Sequence, residues 1–207
     1  MKFTKVIVAL IVVVVAAIVI YSFFSTEVSD VAYIDEIKAE RAEKDSFMKD
    51  SDDSPFGEYR DTFTGLKYFP ITTGYRVTAN VEPIKEKKVI TVSTSTNETK
   101  SYLEYAWANF ELDGVKCRLL LLEVMDMGPE RGKLFLAFAD KTSAVDTYGA
   151  GRYLDVKKQP GAGTLVLDFN KAYNPYCAYV DGYSCPLPVK ENILDVKVLA
   201  GEKNYHD

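Results

Sequence analysis

A single histidine in 207 residues, only three cysteines and no surplus of basic charge exclude much of common enzymology. The one imidazole, His206, sits in the C-terminal tail, so neither a Ser-His-Asp triad nor a convincing Cys-His dyad can be assembled. A zinc site of the Cys/His type is equally short of ligands, and no metal is expected. The sequence has 25 Lys and Arg against 30 Asp and Glu, a formal charge of −5. Setting aside Lys2 and Lys5, which precede the apolar N-terminal run, leaves 23 against 30, or −7. Such a surface repels polyphosphates and anionic headgroups, and no basic stripe suits a nucleic acid. Also missing are a P-loop, a zinc-protease helix, a haem motif, an internal repeat and a low-complexity tract, and no cofactor is expected.

What is present begins with Val6–Phe24, nineteen residues in which Ser22 is the only strongly polar side chain. At about 1.5 Å per residue, a helix of that length spans most of a roughly 30 Å hydrocarbon layer. The run is long for a cleaved signal peptide, and the residues before Ser25 and Ser22 make poor cleavage sites. Residues 1–25 are therefore expected to be an uncleaved transmembrane anchor or signal. Lysines before the run, with Glu27 and Asp30 after it, put the N-terminus inside and the rest outside the cytoplasmic membrane.

Residues 26–57 read as an amphipathic helix and linker. Ile34, Ile37, Arg41, Lys44 and Met48 recur near helical spacing before Pro55 and Gly57 break it. The narrow apolar stripe favours docking on the domain over a coiled coil. From there to residue 207 the pattern is β. Runs at 67–71, 75–81, 88–95, 100–112, 115–125, 133–139, 152–156, 164–169 and 193–199 alternate or are rich in strand formers. Asp113-Gly114 between two long runs predicts a hairpin. Successive strands without intervening helices predict a mainly β domain, an antiparallel sandwich or barrel. Tyr105 and Trp107 are expected on one face with Asn109 and Glu111, a face that could stack sugars but that at this spacing reads first as core. Glu123, inside LLLLEVM, must be paired, protonated or lining a cavity.

The densest stretch runs from Thr147 to Lys203: TYGAGRYLDV, then GTLVLDFNKAYNPYCAYVDGYSCPLPVKENIL, then LAGEK. Together with FADKTSAVDTYGAGRYL (Phe138–Leu154) and GLKYFPITTGYRV (Gly65–Val77), it closely resembles the bacterial and archaeal family known as domain of unknown function 1684. That resemblance implies kinship without a reaction.

Candidate site residues come from the same block. Arg152 either pairs with a carboxylate such as Asp140 or Asp168 in a tight turn, or turns its fork of donors into a pocket with Tyr148. Asp168, Asn170 and Asn174 stand where a strand yields to a loop, suited to a ligand or to local capping. Glu191 and Asp168 would be the acid/base pair of a hydrolase, with Cys177 as an alternative nucleophile. Cys177 and Cys185 bracket the turn-prone VDGYS and could form a disulfide contributing roughly 2–3 kcal/mol. Cys117 reads as a small buried residue. The leading functional expectation is a module binding a small molecule or envelope component, with a hydrolase or a purely structural envelope protein as alternatives.

Overall fold

Turn residues fix where the alternating runs become strands. The computed structural model describes residues 14–15 and 30–206. The expected membrane span at 6–24 lies, Val14 and Val15 aside, outside the described residues. Among the described residues no helix is long and apolar enough to cross a membrane. The chain divides into two units, Met1–Arg41 and Ala42–Asp207. The second unit holds all the strands: β1 (Arg76–Pro83), β2 (Val89–Ser93), β3 (Thr99–Leu112), β4 (Val115–Val124), β5 (Leu134–Phe135), β6 (Ala137–Phe138), β7 (Arg152–Tyr153) and β8 (Thr164–Asp168).

The main sheet is antiparallel throughout, in the order β5-β4-β3-β1-β8, with β2 beside the first part of β3. It ends at β5 and β8 without closing, and β6 pairs with β7 in a second, two-stranded sheet. The predicted hairpin is present: Leu112 faces Val115 across Asp113 and Gly114, whose φ values are 50° and 77°. Two successive positive φ angles match the right-handed twist of the flanking strands. A Cβ at Gly114 would meet no neighbour, so only backbone strain opposes substitution. Gly114→Val is expected to lower stability by about 1–2 kcal/mol, read as a shift of the urea midpoint at unchanged slope.

The four leucines of β4 explain why this strand is buried on both faces. Leu119 and Leu121 enter the main core with Phe110, Phe138, Phe169 and Leu167, while Leu120 and Leu122 pack on the other face with Tyr102 and Val92. Both faces of the sheet are covered along Leu119–Leu122, whereas outward residues of β1 and β8 such as Thr78 and Val166 are exposed. Glu123 at the end of this run pairs with Lys158 at 2.8 Å.

Residues 30–50 form a helix, α1. In its last turns Met48 is buried with Phe56 and Tyr179, and Lys44 reaches Glu202 at 2.6 Å. The helix stops because the chain turns back on its end. Ser51 N–H donates to the Phe47 carbonyl, and the Ser54 hydroxyl donates to that of Met48 at 2.6 Å, just before Pro55.

The run 193–199 departs from its expected form. Even-numbered positions from Asn192 to Ala200 are buried and odd ones exposed, as in a strand. Its ladder, however, reduces to a single parallel bridge, Ala139 with Ile193. The backbone of Ala139 and Lys141 takes up its first half, through Asn192, Leu194 and Val196, and side chains take up the rest.

Candidate functional site

Arg152 supplies those side-chain bonds. It is 1% exposed. One terminal nitrogen donates to Asp140 Oδ2 at 2.9 Å and to the Val198 carbonyl at 3.0 Å; the other donates to the carbonyls of Ala200 and Glu202. Three alternate carbonyls of one segment, which bends at Gly201, thus meet one planar fork, a fit that a lysine could not make. Asp140 is equally occupied: its Oδ1 accepts from Thr142 N–H, the Thr142 hydroxyl and Val198 N–H. Burial pulls the guanidinium pKa down, and the charge of Asp140 opposes that. Of the two carboxylates the sequence offered, Asp140 is the partner. Gly151 must precede this arginine because a Cβ there would lie 2.6 Å from the Phe138 carbonyl oxygen, at a φ of 87°.

The neighbouring asparagines also bond to backbone. Asn170 donates to the Thr72 carbonyl at 2.8 Å and accepts from Thr72 N–H at 3.1 Å. Asp168 caps the turn that follows β8, accepting from Asn170 N–H at 3.1 Å. Asn174 donates to the Lys203 carbonyl at 2.8 Å. Its N–H goes to Glu202, a buried carboxylate that also receives Lys44 and the Tyr179 hydroxyl. Burial, reinforced by that carboxylate, pushes the Tyr179 phenol well up. Glu202 lies in the LAGEK segment, yet the surroundings that make it buried are not visible in sequence.

Glu191 is solvent-facing and lies 3.8 Å from Lys190. Its neighbour Asn192 is buried and mimics a strand: Oδ1 accepts from Leu120 N–H at 2.6 Å, and Nδ2 donates to the carbonyls of Leu120 and Ala137. Asn192 thus occupies the edge of β4, whereas Asp168 ends β8 at the opposite edge of the sheet. Asp168 and Glu191 are therefore not brought together as an acid/base pair.

Tyr148, Cys177 and Cys185 do meet. The Tyr148 hydroxyl points at Cys177 Sγ, 3.7 Å away. Cys177 N–H donates to Cys185 Sγ at 3.3 Å. The expected disulfide is absent, and both side chains are free thiols. Cys117 is half-buried, and burial pushes its thiol up.

A concavity suited to a ligand lies elsewhere, where β3 bends. The β3–β4 register slips between Glu104 and Ala106, leaving Tyr105 as the extra residue of a bulge. Parity changes across it. Tyr102 packs with Leu120 and Leu122, whereas Ala108, Phe110 and Leu112 join Leu119 and Leu121. Tyr105 thus packs on the main core and Trp107 on the other face, so the expectation that they share a face fails. One inserted residue defeats a period of two.

Beside Tyr105 opens a cavity of about 380 Å³, walled by Val81, Tyr105 and Leu165 of the sheet and by the loop from Lys157 to Gly163. Gly163 is pinned to the sheet through its carbonyl, which accepts from Val81 N–H at 2.9 Å. The charged residues of the lining are Lys87 and Lys157, and no carboxylate lines it. The Lys87 amine stands 4.5 Å from the Tyr105 ring centre and that of Lys158 5.1 Å, the latter already bound to Glu123. Of the residues weighed from sequence as ligand contacts, Tyr105 alone lines this cavity. Its walls come from three separate stretches of chain, and only the broken alternation around Tyr105 hints at it.

A second, more open hollow of about 520 Å³ is lined by Phe56, Tyr59, Tyr179, Tyr205 and His206, with Lys67. Its rings pack mainly on each other, and His206 Nε2 sits 3.1 Å from the Tyr179 carbonyl. Among the described residues no group of three His, Cys, Asp or Glu side chains gathers as a metal site.

An uncharacterized protein of Haloarcula marismortui, solved by solution NMR, shares this architecture with a TM-score of 0.63 and 36% identity, over 84% of this chain and 96% of that one. No curated protein matches the chain. Residues 61–203 match the family described as "Protein of unknown function (DUF1684)", which takes in β1 through β8 and the whole Arg152 network, and the chain belongs to that family.

Proposed function

We propose that this protein is a membrane-tethered, extracytoplasmic binding domain that takes an amphiphilic anion of the acyl-carboxylate class in the cavity beside Tyr105. One observation carries this reading: in a chain of net charge −5, the cavity's charged lining is two lysines over an apolar floor. Lys87 and Lys157 have no carboxylate partner among the described residues, so an incoming carboxylate displaces no ion pair. The volume falls within the range of small-molecule sites, which are largely apolar with a few placed polar groups. The tether rests on Val6–Phe24 and the charges flanking it. A tethered site for acyl chains would capture molecules that leave the membrane.

In this reading Arg152, Asn170, Asn174 and Asp168 serve the fold, because each bonds backbone that would otherwise be unpaired. Tyr148 and Glu191 lie outside the binding cavity. Calorimetric titration of decanoate into the full chain in detergent-free nanodiscs tests the site. Wild type should bind, and Lys87→Gln with Lys157→Gln should weaken binding on the order of tenfold, with the loss shrinking at high salt. Unchanged affinity in that double variant would remove the cavity from consideration. A reporter fused to the C-terminus should be active only outside the cytoplasm.

A further inference from the structure

We infer that Cys177 and Cys185 form a dithiol site that exchanges with disulfides, Cys177 acting as the attacking thiol and Cys185 as the resolving one. The site is separate from the acyl-binding cavity, and neither reading depends on the other.

The geometry assigns the two roles. Cys185 is 8% exposed, while Cys177 is half-buried and open to a partner. Each sulfur is held from a different element. Cys185 is fixed beside the end of β2: its N–H donates to Ser95 Oγ at 3.1 Å, and its carbonyl accepts from Ser95 N–H at 2.9 Å. Pro186 continues that contact through a bridge to Thr94. Cys177 is fixed by the turn Tyr176–Ala178, and its N–H reaches Cys185 Sγ at 3.3 Å. The Tyr148 hydroxyl, 3.7 Å from Cys177 Sγ and 3.5 Å from the Cys177 carbonyl oxygen, completes the surroundings of the outer sulfur. Two neighbouring thiols, one reachable and one shielded, are what a two-step exchange requires.

Proton affinity runs the same way. A hydrogen bond from the Cys185 thiol, helped by the Tyr148 hydroxyl, brings Cys177 down to about 6. The same contact, with burial, pushes Cys185 up. The pair therefore loses its first proton at the outer sulfur, where a thiolate can attack.

In the first step the Cys177 thiolate attacks one sulfur of a disulfide R–S–S–R. That S–S bond breaks, one RS⁻ leaves, and a Cys177–S–S–R mixed disulfide forms. In the second, the Cys185 thiol gives up its proton and attacks Cys177 Sγ, expelling the second RS⁻ as the Cys177–Cys185 bond forms. Together R–S–S–R and two protein thiols become two R–SH and one protein disulfide. The external disulfide is reduced, and the pair is oxidised.

Glutathione disulfide is the probe, with intact mass and peptide mapping of the full chain as readout. Wild type should lose two hydrogens, keep no glutathione and yield a crosslinked Cys177–Cys185 peptide. Cys185→Ser should retain one glutathione, mapped to Cys177, and Cys177→Ser should take none at Cys185. The unmutated protein supplies a second reading: iodoacetamide should label Cys177 half-maximally near pH 6, while Cys117 remains unlabelled there. Glutathione persisting on wild-type Cys177, or Cys117 reacting as fast as Cys177, would overturn the assignment. So would a crosslink already in place that dithiothreitol cannot open without unfolding the protein.

Discussion

Arg152→Ala is expected to cost about 3–5 kcal/mol of folding stability, enough to leave many single domains mostly unfolded. The substitution strands a buried Asp140 carboxylate and three buried carbonyls at once. A second variant separates these contributions. Were the ion pair alone important, Arg152→Met combined with Asp140→Leu would restore stability, since well-packed apolar pairs often replace buried ion pairs at no loss. The carbonyls of Val198, Ala200 and Glu202, together with the Thr142 and Val198 donors from which Asp140 accepts, lose these partners in that double variant, so stability should stay well below wild type. Arg152→Lys should fall between, because an ammonium keeps the charge but cannot span alternate carbonyls. Urea unfolding with the slope held constant gives all three values. Full recovery in the double variant would reduce the role of Arg152 to its charge.

Asn192→Leu should cost about 2–4 kcal/mol, since the Leu120 N–H and the carbonyls of Leu120 and Ala137 lose their partners in a buried setting. Asn192→Asp offers a sharper test. The carboxylate keeps the acceptor for Leu120 N–H but faces two carbonyl oxygens where the amide donated. The native state then favours the protonated acid, so the folded pKa lies above the unfolded one. Stability should be poorest at neutral pH and recover as pH falls through the folded value, levelling off below the unfolded value. A variant whose stability falls monotonically on acidification would show that Asn192 does not bridge β4 to β6.

These two side chains also show why parts of the fold were legible and parts were not. The Asp113-Gly114 hairpin and the doubly buried LLLL run follow from local chemistry, and both are present. The run 193–199 alternates truly, but alternation reports which residues face inward and not what holds the backbone. The Arg152 and Asp140 side chains share that role with the backbone of Ala139 and Lys141, all from far away in the chain. Asn192 likewise bonds the Leu120 and Ala137 carbonyls beside the point where the predicted strand 133–139 splits into β5 and β6. Of the residues nominated from sequence, Arg152 and Asn174 are buried and both bond Glu202, Asn170 is buried against Thr72, and Glu191 faces solvent. The direction of the buried three, inward onto backbone, is decided by neighbours the sequence cannot place. Tyr105 was misassigned to a face because a bulge adds one residue without any special residue type to mark it. Lys87 and Lys157 stand seventy positions apart, and nothing local to either marks a shared site.

The separation of ligand cavity from polar network can be tested in one titration. Decanoate is added to the isotope-labelled full chain, and backbone amide shifts are followed. The largest changes should fall at Val81, Lys87, Tyr105 and the loop Gly161–Gly163, with the amides of Asn170, Asn174 and Arg152 nearly still. Changes centred on Tyr148, Arg152 and Asn174, or none anywhere, would contradict the assignment.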